Sequence, residues 1–360
     1  MNRLNVISAD SHVVEPSDLW LNGIHPSYRD RAPRVVRDEE GQDNYRCGDM
    51  NLLAPSAMSQ AGQPEGTNGK TVEDVYPGAY NPHARLKDMA ADGVDAEVLY
   101  PSVSMRLYAL PDPELKSACF EAYNTWIAGF CQAYPDRFKG IATVAIEKTE
   151  EAAAELLRAR KLGLAGAMVT LASDDPALYS STNRDQFWAT AEALGLPVSL
   201  HLATNQRNMV YTLPSLSMSA IDAQESITNM IFGGLFHRFP QLKVVSVEND
   251  AGWVGYLLER MDYVTTAWGR NREYAIKDTG MLPSEYFHRN ISLTFLRDRT
   301  GVEGRYWIGV DNMMWSNDYP HSNSTWPTSR HLMESLFKGV PESERQRMVS
   351  TNAAKLYGFD

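Results

Sequence analysis

Eight short apolar runs, each followed or preceded by a stretch of helical pattern, constrain this chain more than any other feature. They occupy residues 4–10, 95–103, 140–146, 164–171, 196–203, 242–249, 291–295 and 313–318. Near-continuous apolar strands alternating with helices predict a parallel sheet covered by helices. About eight such strands predict a closed TIM-like (β/α)8 barrel. The helical segments carry their own punctuation. HARLKDMAADG closes on Gly93, EEAAAELLRARKLG ends at Gly163, and the long DPELKSACFEAYNTWIAGFCQAYPDRF is stopped by Pro135. NRDQFWATAEALG begins after Ser and Thr capping candidates, and SAIDAQESITNMIFGGLFHRFP is read as one helical segment before the sixth strand. AGWVGYLLERMDYVTTAW follows that strand.

Two regions depart from the rhythm. Residues 29–80 are rich in Gly, Pro, Asn and Asp, and RVVRDEEGQDNYRCG within them predicts a hairpin. We read 29–80 as an insertion after the first strand that covers the barrel mouth, since long loops tend to be functional. The tail beyond Trp326 is helical. With 43% hydrophobic residues in 360, the core is ample, and residues 1–360 are expected to form one barrel domain carrying that insertion.

A net charge of −11 argues against nucleic acid or an anionic membrane as partner, because both select a basic face. No apolar stretch reaches the length of a membrane span, and the N-terminus carries no signal-peptide core. Cys47, Cys119 and Cys131 lack metal or redox spacing and read as free thiols of a reducing compartment. A cytoplasmic protein with a small-molecule substrate is the expectation.

In a (β/α)8 barrel, chemistry sits at the C-terminal ends of the strands. Polar residues occur at those ends. The first run finishes in Asp10 and His12, which share a face because residues two apart on a strand point the same way. His201 lies near the end of the fifth run, Glu248 ends the sixth, Arg297 follows the seventh and Asp318 ends the eighth. Each has an ordinary alternative: a satisfied core histidine, an acidic first-turn residue, a turn residue before Pro320. Several of them together, buried and unpaired, would cost several kcal/mol each. A divalent cation held by Asp10, His12, His201 and Asp318 would offset that cost. Two imidazoles and two carboxylates suit Zn²⁺ first, with Mn²⁺ also compatible. His321, three residues past Asp318, is within reach of the same pocket. His25, His83, His237, His288 and His331 read as peripheral, and Trp315 and Trp326 are candidates for the pocket wall or for the core.

The motifs ISADSHVVEP, RLKDMAADGVDAEVLYPS, LGLPVSLH, FHRFPQLKVVSVENDAGW, WSNDYPHSNSTWP and NAAKLYGF occur in that order along the chain. In them the chain resembles the amidohydrolase-2 branch of the amidohydrolase superfamily, which includes aminocarboxymuconate-semialdehyde and γ-resorcylate decarboxylases. The resemblance implies a homodimer or larger oligomer of metal-dependent barrels. It implies one ion on Asp10, His12, His201 and Asp318. Two positions differ from the family pattern: Asp10 stands where many relatives have His or Glu, and Glu248 stands where relatives commonly carry a catalytic His.

The leading expectation is a decarboxylase of a small cyclic or aromatic acid. The ion would act as Lewis acid and template, Asp318 or Glu248 would protonate the carbon losing CO₂, and Arg297 would hold a second anionic group. The alternative is a hydrolase of an amide, ester, lactone or β-diketone, using water activated by the ion. A third reading is a binding or scaffold barrel with a degraded site. The Met- and Tyr-containing stretch at 209–219 points to a partly apolar substrate.

Overall fold

Each expected run forms a strand in the computed structural model of the protein, which describes residues 5–64, 69–175, 177–204 and 212–359. Strand β1 spans Ile7–His12, so it runs on through His12 rather than stopping at Asp10. A small antiparallel sheet follows, with β2 Arg34–Arg37, β3 Asp43–Cys47 and β4 Met50–Leu53. The remaining strands are β5 Ala96–Tyr100, β6 Phe138–Thr143, β7 Gly166–Val169, β8 Val198–His201, β9 Val244–Val247, β10 Ile291–Phe295 and β11 Met313–Trp315.

The large sheet has the order β1-β5-β6-β7-β8-β9-β10-β11, parallel throughout. The segment just beyond β11 closes the ring onto β1. Asp318 N donates to Asp10 O at 3.0 Å and His12 N donates to Tyr319 O at 2.6 Å. This is the (β/α)8 barrel expected from the strand count, and its closure brings the ends of the first and last strands together.

Strands β5, β7, β8, β9 and β11 are buried at every position, because helices cover one face and side chains fill the other. Leu99, Ala142 and Val244 pack with the helix residues Ile127, Leu156 and Ile227. Their chain neighbours Val98, Ile141 and Val245 belong to a second cluster, as the two-residue period of a strand requires. Tyr100 forms a polar floor beneath the mouth, its hydroxyl 2.9 Å from Ser199 Oγ and 3.2 Å from the hydroxyl of Tyr357 on the C-terminal helix.

Local signals explain the helix limits. Asn81 accepts from His83 N and Ala84 N at the start of Pro82–Asp92, and Gly93 ends that helix at φ 74°. Asp112 accepts from Glu114 N and Leu115 N to open Pro113–Gln132, which ends three residues before Pro135. Two details differ from expectation. The segment before β9 is two helices, Ala220–Phe232 and Leu235–Arg238, because Gly233-Gly234 interrupts it and Gly234 takes φ 74°. Helix Asp185–Leu194 opens on Arg184 with no side-chain cap, not on the Ser and Thr upstream.

The predicted hairpin is β2–β3, and β4 adds a third strand that the sequence reading did not anticipate. Residues 57–64 lie along the barrel mouth. Among the described residues, no helix is long and apolar enough to cross a membrane.

Candidate active site

Polar residues from the ends of β1, β8 and β11 converge at the C-terminal mouth of the barrel. His12 Nε2 is 3.3 Å from Asp10 Oδ1 and 3.3 Å from Asp318 Oδ1. His201 Nε2 is 3.4 Å from the same Asp10 oxygen. His321 joins them, Nδ1 to Asp318 Oδ1 at 3.1 Å, with its ring stacked on His12 at 3.9 Å between centroids. Asp10, His12, His201 and Asp318 are fully buried.

Hydrogen bonds behind the imidazoles fix which nitrogen faces the centre. His12 Nδ1 is 2.8 Å from Pro101 O and His201 Nδ1 is 2.7 Å from Leu202 O. A carbonyl only accepts, so both Nδ1 atoms carry the hydrogen and both Nε2 lone pairs point at carboxylate oxygens. Lone pair facing lone pair at these distances is repulsive unless a proton or a cation lies between. Asp10 Oδ2, His12 Nε2 and both Asp318 oxygens have no hydrogen-bond partner among the described residues. Buried groups left this way are costly. Two sets of donors that share His12, namely Asp10–His12–His201 and His12–Asp318–His321, each lie close enough together to fit a divalent cation, with backbone carbonyls orienting His12 and His201 from behind.

The electrostatics agree. Burial pushes the His12 imidazole down to about 4 and that of His321 down to about 3, so both are neutral donors. Burial pushes the Asp318 carboxyl up to about 7, helped by the charge of Asp10. Glu248 sits on the wall, its Oε2 3.7 Å from His201 Nδ1. Burial and then the charges of Asp318 and Asp10 raise its pKa well above the ordinary value.

Backbone strain collects here. Ala203, Glu248, Asp250 and Asp318 have φ of 71°, 61°, 53° and 55°, and all lie within a few residues of the ends of β8, β9 or β11. The left-handed region is unfavourable for such residues and persists where surrounding structure enforces it.

Above the cluster opens a cavity of about 950 Å³, walled by Glu248, Asp318 and His321 at its charged end and by Met58, Met105 and Leu216 elsewhere. Arg297 is not on this wall. It is exposed, and its guanidinium donates to Asn323 O and Ser324 O at 3.0 and 2.9 Å, tying down the loop after β11. Among the described residues the cationic side chain on this wall is Arg106, which partly offsets the pKa rise of Glu248. Sequence reading missed it, although it follows a strand end as the others do. Trp315 is buried in the core, and Trp326 donates to Asp88 O and packs on Tyr319, so neither lines the cavity. His83 and His237 contact Tyr134 and Tyr286 instead.

Two buried acids hold this geometry. Glu97 pairs with Arg85, Oε2 to Nε at 2.7 Å, and Arg85 also donates to His12 O and Tyr319 O at 2.7 and 3.2 Å. Glu15, from the first motif, accepts from Ser102, Val103 and Ser104 N and so opens the turn that carries Arg106.

A (β/α)8 barrel with imidazoles and carboxylates converging at its mouth defines a metal-site enzyme fold. Residues 48–359 match the profile of the family described as Amidohydrolase, and the chain belongs to that family. It is 27% identical over 297 residues to γ-resorcylate decarboxylase of Rhizobium sp. (strain MTP-10005), covering 77% of this chain and 86% of the relative. It is 25% identical to 2-amino-3-carboxymuconate-6-semialdehyde decarboxylase of Dictyostelium discoideum, covering 81% of each. Among solved structures, an amidohydrolase of Mycobacterium avium subsp. paratuberculosis shares the fold at a TM-score of 0.78, with 20% identity over 100% of this chain and 99% of that one. The 5-carboxyvanillate decarboxylase of Novosphingobium aromaticivorans, solved with manganese and 4-hydroxy-3-methoxy-5-nitrobenzoic acid, does so at 0.72, with 19% identity over 99% and 96%.

Proposed function

We propose that this protein is a metal-dependent decarboxylase of an aromatic acid bearing a hydroxyl beside its carboxylate. The observation that carries the reading is the convergence of Asp10, His12, His201 and Asp318 with unsatisfied lone pairs turned inward. Relatives named as decarboxylases support it. The ligand set is Asp10, His12, His201 and Asp318, with His321 contacting the Asp318 carboxylate. Manganese replaces zinc as the expected ion, because related folds hold it and carboxylate donors accommodate it.

Bound there, the ion supplies Lewis acidity toward the substrate's carboxylate and hydroxyl oxygens. Arg106 faces the anionic end of the substrate from the cavity wall. Glu248, whose pKa is raised by burial and by the neighbouring acids, holds the proton that passes to the ring carbon as its bond to the carboxyl carbon breaks and CO₂ leaves. The electron pair of that bond becomes the new C–H bond. Ionised Glu248 is then reprotonated from solvent at the cavity mouth. Residues 29–80 are assigned as the cover of that mouth within a single barrel domain. Buried Cys47, Cys119 and Cys131, all free thiols, support a reducing, cytoplasmic setting. A homodimer is the proposed assembly, to be checked by sedimentation.

The test is metal content and CO₂ release together. The wild type should bind about one equivalent of manganese, and Asp318→Ala and His201→Ala should lose it. Loaded enzyme should release CO₂ from a hydroxybenzoate with no ¹⁸O entering the organic product from labelled water. Label in a product carboxylate would replace this reading with hydrolysis by activated water.

A further inference from the structure

We propose that the natural substrate is larger than a single carboxylated ring: its acid end sits at the charged floor, and a second ring covers the apolar wall formed by Met58, Met105 and Leu216. This rests on the decarboxylase reading for the placement of the acid end.

The first observation is size. The cavity holds about 950 Å³, near the top of the roughly 300–1,000 Å³ found for sites that enclose drug-sized ligands. At about 30 Å³ per water it has room for on the order of 30 waters, of which a single ring would displace only a fraction.

The second observation is the distribution of polarity. Arg106, Glu248, Asp250, Asp318 and His321 supply the ionisable groups of the wall, whereas Met58, Met105, Leu202 and Leu216 supply an apolar part. Leu216 belongs to the short helix Leu213–Ser217, and this helix and the start of the next expose several apolar side chains. Leu213 is 82% exposed, Met218 57%, and Leu216 and Ile221 46% each. Exposed apolar side chains concentrated in the segment that supplies a cavity wall residue are a mark of a binding surface. A site built only for one ring would have no use for them. Gln60, Gln63 and Asn323 also line the cavity, so polar substituents on the distal ring can be satisfied.

Salicylate and 3-hydroxy-2-naphthoate carry the same carboxylate–hydroxyl pair and differ by one fused ring. Calorimetric Kd and kcat/KM for CO₂ release should be measured for both on manganese-loaded protein. Burial of the added ring predicts roughly ten- to hundredfold tighter binding of the naphthoate. Leu216→Trp and Met58→Trp, which fill the outer space, should cut the naphthoate-to-salicylate affinity ratio at least tenfold. Equal affinities, or a ratio that neither variant changes, would overturn the proposal. CO₂ release from salicylate with kcat/KM equal to or above that of the naphthoate would overturn it while the decarboxylase reading stands. Preferential naphthoate binding, erased by the variants but without CO₂ release from either acid, would uphold the size assignment and remove the decarboxylase reading.

Discussion

Asp318 Oδ1 and His321 Nδ1 lie 3.1 Å apart, and the other nitrogen of that imidazole is 2.9 Å from Ser102 Oγ. The Ser102 hydroxyl donates its hydrogen to Val13 O at 2.7 Å, so it accepts from His321 Nε2–H. His321 Nδ1 then bears a lone pair toward a carboxylate, and the contact is favourable only with a proton on Asp318 or a cation in its place. Burial lifts Asp318 to about 7, while the neighbouring imidazoles are neutral down to about 4 and about 3. Below about pH 7 the arriving ion must expel the Asp318 proton; above it nothing competes. Manganese affinity should therefore weaken about tenfold for each pH unit below 7 and level off above it. Calorimetry in two buffers of different ionisation enthalpy should show about one proton released per ion on the acid side. A flat affinity profile would contradict the assignment.

Arg85 and Glu97 form a buried pair with almost no exposure on either side. Removing one partner leaves the other charged and unpaired, which costs about 3–5 kcal/mol. Arg85→Met should lower stability by that amount in urea titrations. It should also weaken manganese binding, because the His12 and Tyr319 carbonyls lose their donor. Arg85→Met with Glu97→Leu should recover stability relative to Arg85→Met alone, but not the metal affinity. Full recovery of both would show that the pair does not position the site.

The barrel was legible because its strands are apolar on both faces and punctuated by caps such as Asn81 and Gly93. Asp10, His12, His201, Glu248 and Asp318 were legible for the same reason: a polar residue that ends an apolar run stands out. Arg106 and Arg297 show the limit. Both follow a strand, and only the path of each loop decides that Arg106 reaches the cavity while Arg297 turns to the carbonyls of Asn323 and Ser324. Arg85 and Glu97 were hidden for another reason, since pairing across distant elements has no periodic signature. Residues 209–211 of the Met- and Tyr-containing stretch lie outside the described residues.

Removing the ion should uncover the repulsion among the inward lone pairs. Metal binds the folded state alone, so free manganese at 100 times its Kd should add about 2.7 kcal/mol of stability. Differential scanning calorimetry should show a higher midpoint with manganese than with a chelator. His201→Ala, which deletes one donor at the end of β8, should abolish the difference. A manganese effect of equal size in that variant would place the ion elsewhere.

Glu248 should show stability and activity pulling in opposite directions. Its φ of 61° lies where glycine is relaxed, and its half-buried carboxyl feels the charges of Asp318, Asp10 and Asp250. Glu248→Gly removes both costs, less the extra chain entropy of glycine, and should raise stability by about 1 kcal/mol. Glu248→Gln keeps the shape and the backbone bond from Glu248 N to Thr294 Oγ1 but has no proton to give. Both variants should retain one equivalent of manganese, and kcat should fall about 10²–10⁴-fold in each, the usual loss when a general acid is removed. Unchanged turnover in Glu248→Gln would move the proton donor to another group, and loss of manganese in it would make Glu248 a ligand instead.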